Sequence, residues 1–123
     1  MLSGDGGKCG NLHGHTYHLE LALQAEEISD KGMVVDFREL KRITEERILS
    51  HLDHAFLYCR LSAEEAEIAR LLERQNLRTA AFDFRTTCEN LAAYCYRELK
   101  KDLPQLASVR LWETADNSAM FSP

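Results

Sequence analysis

Apolar and polar side chains alternate along residues 17–25: Tyr17, Leu19, Leu21, Leu23 and Ala25 fall on one side, and His18, Glu20, Ala22 and Gln24 on the other. A period of two marks a half-buried β-strand. If that geometry extends back, His13 and His15 share the apolar side, and His18 does not. The period then changes. Phe37, Leu40 and Ile43 recur at helical spacing, with Asp36 as N-cap and Glu39 in the capping-box position, which predicts a helix to about residue 50. Asp30-Lys31-Gly32 reads as the turn before it, and His51-Leu52-Asp53-His54 as a polar interruption after it.

A second helix is expected over residues 62–75, capped by Ser62 with Glu65 at its third position. The acidic group Glu64, Glu65 and Glu67 reads as its solvated face. Residues 77–84 suggest a weak strand. Thr86 and Glu89 form another capping box, opening a helix whose stripe is Leu91, Ala92, Cys95 and Leu99 and which Pro104 stops. Cys88 and Cys95, seven apart, share a helix face and read as core. A last strand is expected over residues 108–114, with Val109, Leu111 and Glu113 on one face, and a short further strand around residues 119–121. A carboxylate closing an apolar face is unusual, because burying its charge is costly unless it is paired.

Composition narrows the classes. The chain has 123 residues, 45% hydrophobic and 28% charged, the size and balance of one globular domain over residues 1–123. A net charge of -5 offers no basic footprint for nucleic acid. No apolar run approaches the roughly 20 residues of a membrane span. Cys9, Cys59, Cys88 and Cys95 show no disulfide framework, so reduced thiols in a cytoplasmic protein are expected.

The candidate chemistry concentrates in Cys9-Gly10-Asn11-Leu12-His13-Gly14-His15. Histidines two apart on extended backbone can point the same way and hold a metal; they can also be two solvated side chains at a strand mouth. Cys9 is either an incidental loop thiol or, beside a metal or a cationic imidazole, a stabilised thiolate able to act as a base. Asp53 beside His54 could fix the imidazole tautomer or simply end a helix. Glu113 is either solvated or a buried anion suited to a ligand with paired N–H donors.

Five ordered segments together resemble the 6-pyruvoyl-tetrahydropterin synthase family. These are residues 8–17 around Cys9 and His-Gly-His; Gly32-Met33-Val34-Val35-Asp36-Phe37 with Leu40-Lys41; Leu52-Asp53-His54 with Leu57; Thr87-Cys88-Glu89-Asn90-Leu91-Ala92; and Glu113-Thr114. The short gap between Cys9 and His13 resembles the bacterial 6-carboxy-tetrahydropterin synthases of queuosine biosynthesis. The resemblance implies an α+β tunnelling fold (T-fold), an antiparallel sheet with helices on one face, assembled as a homo-oligomer, a hexamer, with sites between subunits. It implies zinc held by His13 and His15, proton transfer by Cys9, and a second acid/base pair in Asp53 and His54. Glu113 and Thr114 would bind a small-molecule pterin. The implied reaction converts 7,8-dihydroneopterin triphosphate to 6-carboxy-tetrahydropterin, acetaldehyde and triphosphate. The alternatives are pyruvoyl formation and a non-catalytic pterin-binding homologue.

The chain departs from the pattern in places. Tyr58 and Thr86 stand where the family has Asn and Pro, and Arg85 precedes the latter. Family members begin with a strand ending in Ala-Ala-His, the third zinc ligand; this sequence starts after that point, and no other residue reads as its substitute. With Cys9, Asp53, His54 and Glu113 all present, the expectation is a missing N-terminal segment rather than a decayed enzyme.

Overall fold

The computed structural model describes residues 1–123. Its main sheet has three strands in the order β1-β4-β5, all antiparallel: β1 (His18–Leu23), β4 (Leu106–Trp112) and β5 (Ser118–Phe121). A separate pair, β2 (Phe56–Cys59) and β3 (Thr79–Phe82), is parallel. Parallel neighbours require a crossover. Here α3 (Ala63–Arg74) supplies it.

The alternation in β1 puts Leu19, Leu21 and Leu23 against the core and leaves His18, Glu20 and Ala22 exposed. Opposite them, Leu111 and Val109 pair with Leu19 and Leu21. α4 (Cys88–Lys100) packs over β4 and β5. One core cluster is Ile43, Ile48, Cys95, Tyr96, Leu99, Leu103, Leu106 and Val109; a second is Phe82, Cys88, Leu91, Ala92 and Leu111. Each fully buried leucine contributes about 1.5–3 kcal/mol of transfer free energy. The helices thus cover one sheet face, as expected, and Cys88 and Cys95 lie in the core.

Several expectations change. The helix after Asp36 does not run uniformly to residue 50. α1 (Phe37–Thr44) passes into a π-helical turn, Glu45–Leu49, and then α2 (Ser50–Leu52). The hydroxyls of Thr44 and Ser50 donate to the carbonyls of Leu40 and Glu46 at 2.7 and 2.8 Å, bonds that loosen and bend a helix. Asp36 is the cap, accepting from the Arg38 N–H at 2.8 Å, but Glu39 pairs with Arg42 instead of reaching back. Phe37, assigned to the buried stripe, is 84% exposed, because as the first helical residue it lies a turn beyond the part of the stripe that meets the core.

The α4 cap is Thr87, whose hydroxyl accepts from the Asn90 N–H, not Thr86. β2 was not anticipated, since Phe56-Leu57-Tyr58-Cys59 shows no alternation of polar and apolar residues. Glu65 is 1% exposed and therefore does not belong to a solvated face. Glu64 and Glu67 are exposed as expected.

Candidate active site

Antiparallel pairing of β1 with β4 builds the centre of the site. His18 lies opposite Trp112, so the chain running back from His18 meets the chain running forward from Trp112. This brings His15 to Glu113: the imidazole Nε2 and the carboxylate Oε1 are 2.6 Å apart. His13 stands edge-on to His15, ring centroids 4.9 Å apart, and its Nδ1 meets the Asn11 carbonyl at 2.7 Å. A carbonyl accepts only from an N–H, so this contact places the proton on Nδ1 and leaves Nε2 of His13 free as a ligand. One donor atom from each of His13, His15 and Glu113 lies within 4.8 Å of the others.

Two imidazole nitrogens and a carboxylate oxygen are a donor set used by catalytic zinc, with the fourth position open. Zinc bonds of about 2.0–2.2 Å in tetrahedral geometry set donors about 3.4 Å apart, so an ion here would draw in the widest spacing and replace the 2.6 Å contact of His15 with Glu113. The chemistry of these residues therefore fits a zinc ion. Sequence reading found no third donor for the two histidines. The signal for one was the register that juxtaposes Glu113 with His15, which only strand pairing reveals.

These groups open on a cleft of about 1030 Å³ that gathers Cys9, His13, His15, Asp53, His54 and Glu113 along its walls. Cys9 sits in a short 3₁₀ turn, Lys8–Gly10, with its thiol exposed. The turn is tight: a β-carbon on Gly10 would fall 2.5 Å from the Asp5 carbonyl oxygen, so glycine is required there. Asp53 and His54, placed between α2 and β2, hydrogen bond through Oδ1 and Nδ1 at 2.8 Å. Adjacent residues usually point apart. Here they meet, and His54 adopts a left-handed backbone, φ 56°, uncommon for a residue other than Gly though less so for His, Asn and Asp. Such backbone is found disproportionately at functional sites.

Thr114 does not line the cleft. Its hydroxyl accepts from the N–H groups of Asp116 and Asn117, at 3.3 and 3.1 Å, and so shapes the β4–β5 turn. Sequence reading did not select Tyr17, Glu89 or Asn117 as site residues, yet all three line the cleft. Burial, and secondarily the nearby Glu113 and Cys88, push the Tyr17 phenol up to about 12, so it is neutral at physiological pH and can donate a hydrogen bond.

The fold is of the T-fold class, an antiparallel sheet with helices on one face. A structure of a Wolinella succinogenes protein matches with a TM-score of 0.73 at 23% identity, covering 93% of this chain and 80% of that one. The Caenorhabditis elegans 6-pyruvoyl tetrahydropterin synthase matches with a TM-score of 0.69 at 26% identity, covering 95% and 74%. The chain belongs to the 6-pyruvoyl tetrahydropterin synthase family, whose model matches residues 1–123. Among its relatives is the 6-carboxy-5,6,7,8-tetrahydropterin synthase of Haemophilus influenzae, 42% identical over 118 residues, covering 93% of this chain and 84% of that protein. The enzyme of the same name from Aquifex aeolicus is 31% identical, covering 93% and 75%. The human 6-pyruvoyl tetrahydrobiopterin synthase is also 31% identical, covering 94% and 70%.

Proposed function

We propose that the protein is a zinc-dependent carbon–carbon lyase that converts 7,8-dihydroneopterin triphosphate to 6-carboxy-tetrahydropterin, acetaldehyde and triphosphate, in queuosine biosynthesis. The observation that carries this reading is the single cleft holding a thiol, an imidazole–carboxylate pair and a two-histidine, one-carboxylate cluster. The carboxy product is favoured over the pyruvoyl product by the 42% identity to a synthase of the former name. No helix is long and apolar enough to cross a membrane. We place the enzyme in the cytoplasm as a homo-oligomer, a hexamer by family resemblance.

His13 and His15 would hold the zinc, with Glu113 close enough to complete the set. When bound, the metal supplies Lewis-acid polarisation of the substrate's side-chain oxygens. Cys9, as thiolate, removes a proton from a side-chain carbon, and its exposed position at the cleft wall leaves it free to do so. His54 moves the second proton. Asp53 on Nδ1 keeps its Nε2 available and stabilises the imidazolium that forms. The Glu113 carboxylate has the chemistry to accept paired N–H groups from the amino-pyrimidine edge of a pterin. It serves the ring or the metal, not both with the same oxygen. Tyr17 offers a neutral donor on the same wall.

The test is incubation of the purified chain with zinc and 7,8-dihydroneopterin triphosphate, with products identified by mass spectrometry. Release of acetaldehyde with 6-carboxy-tetrahydropterin is expected. A pyruvoyl product would transfer the protein to the sister activity, and pterin binding without turnover would make it a binding homologue. Glu113→Gln divides its two assignments: a loss confined to zinc affinity makes it a ligand, and a loss confined to pterin affinity makes it the ring anchor.

A further inference from the structure

Glu65 is a buried carboxylate remote in sequence from every residue assigned a role above. It is the third residue of α3 and is 1% exposed. A carboxylate so placed is strongly unfavourable unless its oxygens are saturated by donors. They are: Oε2 accepts from the Cys59 N–H at 2.8 Å, and Oε1 from the Ser3 N–H at 2.9 Å. The first bond is local to the turn between β2 and α3. The second reaches back across the chain to the N-terminal segment.

That segment carries Cys9. Ser3 is held from three sides: its N–H by Glu65, its hydroxyl by the Ser62 hydroxyl at 2.7 Å, and its carbonyl by the Arg85 guanidinium at 3.2 Å. Its neighbour Leu2 donates its N–H to the Cys9 carbonyl at 2.7 Å and accepts at its own carbonyl from the Asp5 N–H at 3.1 Å. The Asp5 carbonyl in turn closes over Gly10. The links from Glu65 to the Cys9 backbone are thus continuous and entirely polar, and the loop has no buried residue of its own to fix it. Such a loop, with Met1, Leu2, Ser3 and Gly10 only partly buried, depends largely on its hydrogen bonds for its position.

We propose that Glu65 is a positioning residue for Cys9, anchoring the segment 1–10 so that the thiol stands at the wall of the catalytic cleft. This rests on the assignment of Cys9 as the proton-moving thiol. Glu65 touches neither substrate nor metal donors; it acts through Ser3 and Leu2. Misplacing a reacting group by about 1 Å can cost about a hundredfold in rate.

Glu65→Gln keeps the shape but turns an N–H₂ toward one of two N–H donors, breaking one link. Ser3→Pro removes the N–H that Glu65 accepts, together with the hydroxyl bonded to Ser62, and leaves Glu65 bonded to Cys59. Each variant is compared with the parent for kcat, KM, zinc affinity, thermal midpoint and the rate of Cys9 alkylation by iodoacetamide. Both variants are expected to lose about 10- to 100-fold in kcat, with KM and zinc affinity unchanged, and to alkylate at Cys9 at a rate different from the parent's as the thiol leaves its place at the cleft wall. If Glu65→Gln does not fold, Ser3→Pro decides. A folded variant with parental kcat and parental alkylation rate overturns the proposal, because a merely structural Glu65 would move only the midpoint. Alkylation reads the loop without substrate. A parent that turns over no pterin therefore refutes the proposed reaction but not the anchoring, which stands or falls on the alkylation rates.

Discussion

Asp53→Asn should separate activity from stability. Oδ1 of Asp53 meets Nδ1 of His54 at 2.8 Å, and the two side chains are 62% and 89% exposed. A polar pair that open to water contributes less than about 1 kcal/mol. For a chain of this length each kcal/mol moves the midpoint by about 3–5 °C, so the variant should melt within about 5 °C of the parent. Catalysis is another matter. Proton transfer by a positioned imidazole is worth about 10²–10⁴ in rate. At about 1.36 kcal/mol per tenfold, that is about 2.7–5.4 kcal/mol of barrier. Asparagine can still accept the Nδ1 proton through its amide oxygen, but it carries no charge to stabilise the imidazolium. A loss near the lower bound, about a hundredfold in kcat, is therefore expected. Acetaldehyde release, followed through a coupled alcohol dehydrogenase, gives kcat, and differential scanning fluorimetry gives the midpoint. A kcat close to that of the parent, or a large fall in midpoint with kcat retained, would refute the assignment of this pair to proton transfer.

Other outcomes follow from the same structure. Brief iodoacetamide treatment near pH 8 should label Cys9 alone, since Cys59, Cys88 and Cys95 are buried and burial pushes the Cys95 thiol up to about 12; peptide mass spectra showing native labelling at Cys95 would contradict this. Leu99→Ala, at a position 0% exposed, should cost about 2–5 kcal/mol, read as a lower urea midpoint at unchanged m-value. Burial alone would push the Glu65 carboxyl up, but the N–H groups of Cys59 and Ser3 outweigh it and hold it below its ordinary 4.5. The unfolded chain therefore binds this proton more readily, so the contribution of Glu65 is complete above pH 4.5 and disappears as pH falls through the folded value. Glu65→Gln should flatten the acid limb of the stability curve; an unchanged slope would place that titration elsewhere.

The strands β1, β4 and β5 and the caps Asp36 and Ser62 were legible because local pattern and local chemistry coincide there. The parity argument for His13 and His15 required the strand to extend back to them, whereas β1 begins at His18; His18 faces away from the core and His15 turns to Glu113 from outside the strand. Relations between distant segments were not legible. The contact of Glu113 with His15 depends on register, and β2 depends on β3 lying beside it. The burial of Glu65 depends on a loop some sixty positions away folding over it. In each case the deciding partner is absent from any local window, so residue type alone pointed to solvent or gave no signal.

The order in which the chain assembles follows from the same pairing. β2 and β3 are joined through one helix, so the unit placing Asp53 and His54 closes a short loop. β1 must find β4 across nearly the whole chain, and search time rises with such separation. The cluster of His13, His15 and Glu113 lies just beyond that last pairing, at the junction of the two ends. A metal bound there would act as a clasp on the slowest step, tightening only once the two ends have met. Metal capture in refolding experiments should accordingly coincide with the final kinetic phase.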